Sequence, residues 1–274
     1  MGPTSTDTAP STAPAGPLQA IARQADYWLI VYRRTWKGSV ISSFVNPVLY
    51  VLAMGVLLGR YVDTGSARLD GAPTYLAFVA PGLLAAQSMQ TAFGEVTYPV
   101  MSRLKWDKAY YSMSASPLSV GDIALAHLAY AVARIALGSL VFVLVLAPFG
   151  VFASVGGAAL AFVVQVLVGL AFATPLYAFS AGLSNESAFA LVFRLGMIPL
   201  FLFSGAFFPI TNLAGWMQVL ARVTPLWHGV DLTRMLTLDR VDAGAAAVHV
   251  VYLVVLVVAG YAWALRRLRR RMVS

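Results

Sequence analysis

Residues 245–271 read AAAVHVVYLVVLVVAGYAWALRRLRRR. The first 21 of these residues include no Asp, Glu, Lys or Arg, and five of the last six are arginine. A helix needs about 20 apolar residues to cross the ~30 Å hydrocarbon layer of a bilayer. Arginines that directly follow such a run lie where the helix leaves the membrane. The stretch therefore predicts a transmembrane helix, Ala245–Leu265, that ends in a basic tail, residues 266–274.

Five more apolar runs precede this one, and they indicate a membrane fold for the whole chain. The runs are Ser39–Leu58, Thr74–Gly94, Ile123–Ala147, Val151–Gly182 and Leu191–Pro209. Only 11% of the residues are charged, whereas about 25% are charged in a soluble domain. Lipid accepts the apolar surface that such a chain cannot cover. The sequence predicts an all-α integral membrane protein with six transmembrane helices across residues 39–265.

The chain before the first run has two parts. Residues 1–17 are mostly Thr, Ser, Ala, Pro and Gly, a composition typical of a disordered tail. In residues 18–38, apolar and aromatic side chains recur at helical spacing on one face, and arginines lie mostly off that face. This pattern predicts an amphipathic helix at the membrane interface, with packing on a partner protein as the alternative.

The distribution of Lys and Arg predicts the orientation of the chain. The net charge is +8, but the basic residues flank the apolar runs, so we expect membrane orientation rather than nucleic-acid binding. With the N-terminus inside, 13 of the 19 Lys and Arg lie in inner segments, five lie in outer segments and Arg134 lies within the third run. Both termini are therefore expected in the cytoplasm.

Several kinds of chemistry are not expected of this chain. It contains no cysteine, which excludes disulfides and thiolate metal sites. It also has no Gly-x-x-x-x-Gly-Lys-Ser/Thr loop for binding ATP phosphates. Ser180, Ser204, His228 and Asp231 are the residues of a conceivable intramembrane hydrolase, but no Gly-x-Ser-x-Gly elbow or His-Glu-x-x-His supports it. We expect a transport protein without catalytic residues, metal or bound cofactor.

Two connecting segments are unusual for loops. Pro99–Ser119, between the second and third runs, mixes basic and aromatic residues. It predicts either a short helix that docks on a cytoplasmic partner or a solvated connection with its aromatic residues at headgroup level. Ile210–Asp242 is apolar, with Leu213, Met217 and Leu220 at helical spacing. It predicts short helices that dip into the outer leaflet or cap the protein.

Ionisable residues in or beside the second and third runs form a candidate polar cluster: Glu95, Asp122, His127 and Arg134. Charge inside a bilayer is costly, so such groups usually pair or line a cavity. His127 and Arg134 are two helical turns apart and share a face, which Glu95 can meet. The cluster predicts either a relay of movement from the 99–119 segment or a buried pair that fixes helix packing. A proton-coupled secondary transporter that uses Glu95, His127 and Arg134 is the alternative function.

A series of short motifs resembles one transporter family. The motifs are Asn46-Pro-Val-Leu-Tyr, Ala80-Pro-Gly-Leu-Leu, Arg103-Leu-Lys-Trp, Pro117-Leu-Ser-Val-Gly-Asp, Phe203-Ser-Gly-Ala-Phe-Phe-Pro, Pro225-Leu-Trp-His and Asp231-Leu-Thr-Arg. Their order and spacing over residues 18–240 resemble the permease subunits of type-two ATP-binding-cassette exporters. The nearest branch is that of nodulation lipo-oligosaccharide exporters and daunorubicin-resistance permeases.

The resemblance implies partners and a location. A permease of this family lies in the bacterial inner membrane, pairs with a second copy, and works with separate cytoplasmic ATPase subunits that bind ATP and Mg. It also implies that the 99–119 segment is a coupling helix seated on the ATPase. The coupling residues would be Arg103, Leu104, Lys105, Trp106, Asp107, Lys108, Tyr110 and Tyr111.

The expected function is export of an amphipathic or lipid-linked substrate, such as a drug, a glycolipid or a lipo-oligosaccharide. We expect a path along the dimer interface, lined by the first and fifth spans with Phe201, Phe203, Phe207 and Phe208. Gly55 and Gly59 form a Gly-x-x-x-Gly step, which lets helices approach closely. This step predicts a packing contact, either between subunits or within one.

Overall fold

The computed structural model describes residues 44–59, 69–115 and 117–273. All regular structure in these ranges is helical, which confirms the predicted all-α fold class. The expectations for the tail 1–17, for the amphipathic helix 18–38 and for the beginning of the first apolar run lie outside the described residues.

Nine helices are found in the described ranges, and we number them α1 to α9. They are α1 (residues 44–59, π-helical over Val51–Leu58), α2 (Tyr75–Trp106), α3 (Ala109–Ser114), α4 (Val120–Leu146), α5 (Val155–Gly182), α6 (Ser187–Phe203), α7 (Gly215–Arg222), α8 (Pro225–Thr237) and α9 (Ala243–Val273). Short 3-10 turns, Ala147–Phe149 and Ile210–Asn212, follow α4 and precede α7. The pair α7 and α8 supplies the short helices predicted for the 210–242 segment.

Hydroxyl side chains begin three of the long helices. The side-chain oxygens of Thr74, Ser119 and Ser154 accept hydrogen bonds from backbone N–H groups three residues later, at 3.1, 3.2 and 3.0 Å. Such caps satisfy N–H groups that have no partner within the helix, and each stabilises its helix by about 1 kcal/mol. Thr74 is the first residue of the second run, but α4 begins before the predicted start of the third run, Ile123, and α5 begins after the predicted start of the fourth, Val151.

Four of the described helices are long and apolar enough to cross a membrane: α2, α4 with its 3-10 extension, α5 and α9. The fifth run corresponds to the shorter helix α6, and the described part of the first run contains the apolar helix Phe44–Gly55. Four of the six predicted spans thus correspond to long helices. The count of six stays a prediction.

Helix α5 lies at the centre of the packing and contacts α2, α4, α8 and α9. Its contact with α9 depends on Gly260. A Cβ at this position would lie 2.5 Å from Thr174 Oγ1 and 2.6 Å from the backbone nitrogen of Pro175. Any larger residue would force the helices apart, so the glycine allows α9 to lie directly against the proline-containing part of α5.

The fifth apolar run does not continue as a helix to its predicted end. Helix α6 ends at Phe203, and the chain then turns through Gly205, which has φ +79°. Glycine adopts this left-handed conformation without steric cost. The turn packs on α2, where a Cβ on Gly82 would lie 2.5 Å from Ala206 Cα. The prediction of one helix over Leu191–Pro209 is therefore wrong for its last residues, which form a turn against α2.

Candidate functional site

The 99–119 segment contains the end of α2, a left-handed residue, Lys108, and the short helix α3. Lys108 has φ +50° and directly precedes α3. Burial divides the eight predicted coupling residues into two groups. Arg103, Leu104 and Tyr110 are buried. The exposed group consists of Lys105, Trp106, Asp107, Lys108 and Tyr111.

The buried group is connected to three membrane helices through His127 of α4. Arg103 Nη1 lies 2.9 Å from His127 Nδ1, and the Tyr110 hydroxyl lies 2.5 Å from the same nitrogen. On the other side of the ring, His127 Nε2 lies 2.8 Å from the backbone oxygen of Glu95 in α2. The Tyr177 hydroxyl, from α5, donates to the Tyr110 hydroxyl at 3.0 Å. We call these residues the His127 network.

The partners of His127 determine which ring nitrogen carries its hydrogen. A backbone carbonyl only accepts, so Nε2 donates to Glu95 O. A guanidinium only donates, so Nδ1 accepts from Arg103 and carries no hydrogen. The imidazole is therefore neutral. A second proton on Nδ1 would face the Arg103 cation, so the geometry does not favour His127 as the proton carrier of a secondary transporter.

Glu95 and Arg134 form an ion pair next to this network. Arg134 Nε lies 2.9 Å from Glu95 Oε1, and each side chain is 18% exposed. Glu95 thus contacts both residues that the sequence placed on one face of the third run: His127 through its backbone and Arg134 through its carboxylate. Asp122 lies elsewhere, at the start of α4, where it forms a capping box with Ser119. The structure brings together three of the four predicted cluster residues.

Tyr177 is a member of the network that the sequence analysis did not identify. It is fully buried in α5, and its ring lies edge-on to the His127 ring, with centroids 5.3 Å apart. Tyrosine inside an apolar run carries little energetic penalty, because the ring is apolar and only the hydroxyl needs a partner. A tyrosine inside an apolar run could have pointed to this contact, because a buried tyrosine hydroxyl usually has a polar partner.

The exposed part of the 99–119 segment presents an aromatic and charged surface. Trp106 is 51% exposed. Lys105 Nζ lies 3.2 Å from Glu186 Oε2, in the connection between α5 and α6. The backbone amide of Glu186 and the Lys105 ammonium lower the pKa of Glu186. Ser102 donates to Asp107 at 2.5 Å, which fixes the carboxylate beside the tryptophan.

The four phenylalanines predicted to line a path do not form one continuous surface. The Phe201 and Phe207 rings pack edge to face, with centroids 4.8 Å apart, and both are partly buried against the core. Phe203 is 39% exposed and lines a cavity of about 450 Å³ between α6 and α7, together with Leu200, Trp216 and Leu220. Phe208 is partly exposed beyond the Gly205 turn. The cavity is the candidate substrate site among these residues.

The two glycines of the Gly-x-x-x-Gly step lie in α1. A Cβ on Gly55 would lie 3.1 Å from the Leu76 side chain of α2, so this glycine borders a contact within the same chain. Gly59 is buried. Dimer contact at this step stays a prediction.

Arg234 of α8 anchors the Gly205 turn to α2. Its Nη2 donates to Gly205 O at 2.8 Å and to Phe78 O at 3.3 Å, and its guanidinium lies 4.1 Å from the centre of the Phe78 ring. Nη1 lies 3.8 Å from Asp70 Oδ2. Burial lowers the pKa of Arg234, while Asp70 and Asp231 oppose the shift. Arg234 thus joins α2 to the Gly205 turn, two parts of the chain that are far apart in the sequence.

A second polar cluster joins α8 to the beginning of α9. His228 Nδ1 lies 2.7 Å from His249 Nδ1, and His249 Nε2 lies 3.1 Å from Asp231 Oδ2. The Tyr252 ring stacks on His228 with centroids 3.9 Å apart. Burial, and then the neighbouring His249, lower the pKa of His228 to about 4. His249 was not predicted as a member of a polar cluster, although an ionisable residue inside a predicted span was a usable signal.

The residues of the conceivable hydrolase are not assembled. The Ser180 hydroxyl donates to Leu176 O, and the Ser204 hydroxyl donates to Phe201 O. His228 instead contacts His249. A serine nucleophile needs a base within about 3 Å, so this arrangement does not support hydrolysis.

Comparisons with known proteins agree with this architecture. The sequence matches the ABC-2 type transporter family over residues 25–238. It is 32% identical to Nodulation protein J of Sinorhizobium fredii over 254 residues, which cover 90% of this chain and 94% of the relative. It is 29% identical to Nodulation protein J of Rhizobium leguminosarum bv. viciae over 269 residues, 96% of this chain and 98% of the relative. The chain therefore belongs to the ABC-2 type transporter family.

Proposed function

We propose that this chain is the permease subunit of an ATP-driven exporter of an amphipathic or lipid-linked substrate. It would act as a pair of identical chains in the bacterial inner membrane, with both termini in the cytoplasm and ATP hydrolysed on separate subunits. The observation that carries the proposal is the His127 network. It connects a surface segment that has an exposed tryptophan to α2, α4 and α5 through buried hydrogen bonds.

The division of the 99–119 segment into buried and exposed residues suits a coupling role. Its exposed residues can bind a cytoplasmic ATPase, while Arg103 and Tyr110 are held inside the membrane domain. Buried hydrogen bonds are costly to leave unmade, by about 1–3 kcal/mol each. A displacement of α3 therefore favours a matching displacement of α4 and α5. In the proposed mechanism, ATP-driven closure of the ATPase pair pushes on the exposed residues, and the His127 network transmits the movement.

ATPase binding tests the proposal through Trp106. We expect the Trp106→Ala chain, purified from its own membranes in mild detergent, to retain roughly tenfold less ATP-binding-cassette protein than the wild type, because a central interface tryptophan is often a binding hot spot. Trp216→Ala is the matched control, since Trp216 is also exposed, at 70%, but lies in the 210–242 segment. The proposal fails if no ATPase accompanies the wild type, or if both variants retain it equally.

The substrate path is proposed at the cavity lined by Phe203. This cavity is almost entirely apolar and lies between α6 and α7, which suits a hydrocarbon chain. We expect Phe203→Ala to reduce export by about fivefold or more, because the substrate chain loses apolar contact area. Protein levels should stay unchanged, since the ring is partly exposed. Export should be measured alongside Phe149→Ala, which removes a 50% exposed ring outside the cavity; equal export by both variants and the wild type would contradict the assignment.

A further inference from the structure

A basic cavity lies where the ends of α5 and α9 meet the 99–119 segment. Its volume is about 380 Å³. Four cationic side chains line it, together with Ala181, Gly182 and Ser184: Lys105, Arg267, Arg270 and Arg271. No acidic residue is among the described residues that line this cavity. Closely spaced cations beside a low-dielectric wall create a strong positive potential, so the cavity attracts anions.

Two of the cations are fixed by contacts on the rim. Arg271 Nη1 donates to Ala181 O at 2.9 Å and also to Leu183 O, at the carboxyl end of α5. Lys105 is held by Glu186 at 3.2 Å. These bonds anchor the ends of α5 and α9 and the 99–119 segment around one space. The cavity is therefore an open cleft lined by three elements and is more than a row of arginines on one helix.

Arg267, an exposed residue of α9, also lines this space. Its guanidinium carbon lies 5.9 Å from the centre of the Trp263 ring, one turn earlier in α9. A Cβ on Gly182 would lie 3.4 Å from Arg267 Nη1, so the missing side chain at position 182 makes room for the guanidinium. Arginine presents several N–H donors in a planar fork, which matches the oxygens of a phosphate group.

The position of the cavity, at the end of the apolar part of α9, indicates which molecule carries the phosphate. The apolar run Ala245–Leu265 ends directly before the arginines, and Trp263 is 39% exposed at that border. Tryptophan in transmembrane helices is enriched at the headgroup level. Basic pockets between transmembrane helices at this level bind anionic lipid headgroups. Phosphate dissolved in the cytosol has the same chemistry but lacks the hydrocarbon chains that would hold it at this depth.

We propose that this cavity binds the phosphate group of an anionic phospholipid. The lipid would connect the 99–119 segment to the last helix and so stabilise the surface on which a partner docks. The proposal does not depend on the exported substrate and goes beyond the exporter function.

The test is a titration of the purified full-length chain with phosphatidylglycerol, with bound lipid counted by native mass spectrometry. The variant is Arg267→Gln with Arg270→Gln. The matched control is Arg266→Gln with Arg269→Gln, which removes two exposed arginines of the same helix end that do not line the cavity. We expect phosphatidylglycerol affinity to fall about tenfold or more in the first variant and by less than about twofold in the control.

Two further measurements use only the wild type, so they do not depend on whether the variants fold. Phosphatidylcholine should bind the wild type more weakly than phosphatidylglycerol. Inorganic phosphate should compete poorly with phosphatidylglycerol for the cavity. Equal losses in both double variants, equal binding of the two lipids, or full displacement by inorganic phosphate would each overturn the proposal.

Discussion

At the residue scale, the most informative position is His127. Its two ring nitrogens contact groups from α2 and α3, and its side chain is almost completely buried. A buried imidazole with every polar atom satisfied has little freedom to move alone, because each lost bond costs about 1–3 kcal/mol. His127 is therefore a rigid connection between the surface segment and the membrane helices.

His228 gives a pH-dependent prediction. Its pKa is about 4 in the folded chain, against 6.5 for an ordinary histidine. Between these two values the unfolded chain binds a proton that the folded chain does not, so folding stability falls as pH decreases through this window. We expect the unfolding temperature of the wild type in detergent to fall from pH 6.5 towards pH 4, and to fall less in His228→Gln.

His127 is the same in both proteins, and the difference between their profiles measures the loss of His228 together with its contact to His249. Asp231 is the charged group that opposes the effect, since it favours protonation of His228. Identical pH profiles of the wild type and His228→Gln would contradict the account of this cluster.

At the element scale, the contact between α2 and the Gly205 turn depends on Gly82. We expect Gly82→Ala to lower the unfolding temperature in detergent, because its Cβ would overlap Ala206. Gly94→Ala is the matched control on the same helix, where a Cβ would meet nothing within 4 Å. In the control, alanine should be neutral or stabilise by about 0.5–1 kcal/mol through helix propensity. Similar behaviour of the two variants would show that the packing at Gly82 is looser than described.

Helix positions were predictable from the sequence where composition and capping agree. The runs that became α4 and α5 are apolar, and the hydroxyls of Ser119, before the third run, and Ser154, near the start of the fourth, cap the helices. The end of α6 was not predicted, although Ser204-Gly205 and Pro209 are turn signals in the sequence, because Ala206, Phe207 and Phe208 continue the apolar run. Its turn depends on the left-handed Gly205 and on a contact with Gly82 that is distant in sequence.

The candidate site was predictable only where charge made it conspicuous. Glu95, His127 and Arg134 were identified because ionisable groups are costly in lipid. Tyr110 was expected on the docking surface, but it is buried against His127. A tyrosine suits both an interface and a core, so composition could not show whether Tyr110 is exposed or buried. The ion pair of Arg234 with Asp70 depends on tertiary packing that spacing along the chain does not contain.

At the scale of the whole molecule, the described residues place two polar assemblies in different parts of the helix bundle. The His127 network joins the 99–119 segment to α2, α4 and α5. Arg234 and the histidine pair join α8 to α2, to the Gly205 turn and to α9. Helices α2 and α5 contact both α4 and α8. In the proposed mechanism, α2 and α5 are the route by which movement at one assembly reaches the other.

The most direct test is ATP-dependent transport by Tyr110→Phe in proteoliposomes that contain the permease and its ATPase. This change removes the hydroxyl bonded to His127 and keeps the ring. Tyr98→Phe is the control, because it removes the hydroxyl of a tyrosine of α2 that is 45% exposed and is not a coupling residue. We predict that Tyr110→Phe still binds the ATPase but transports about threefold or more less substrate per ATP hydrolysed, while Tyr98→Phe matches the wild type. Wild-type transport per ATP by Tyr110→Phe would contradict the proposed coupling.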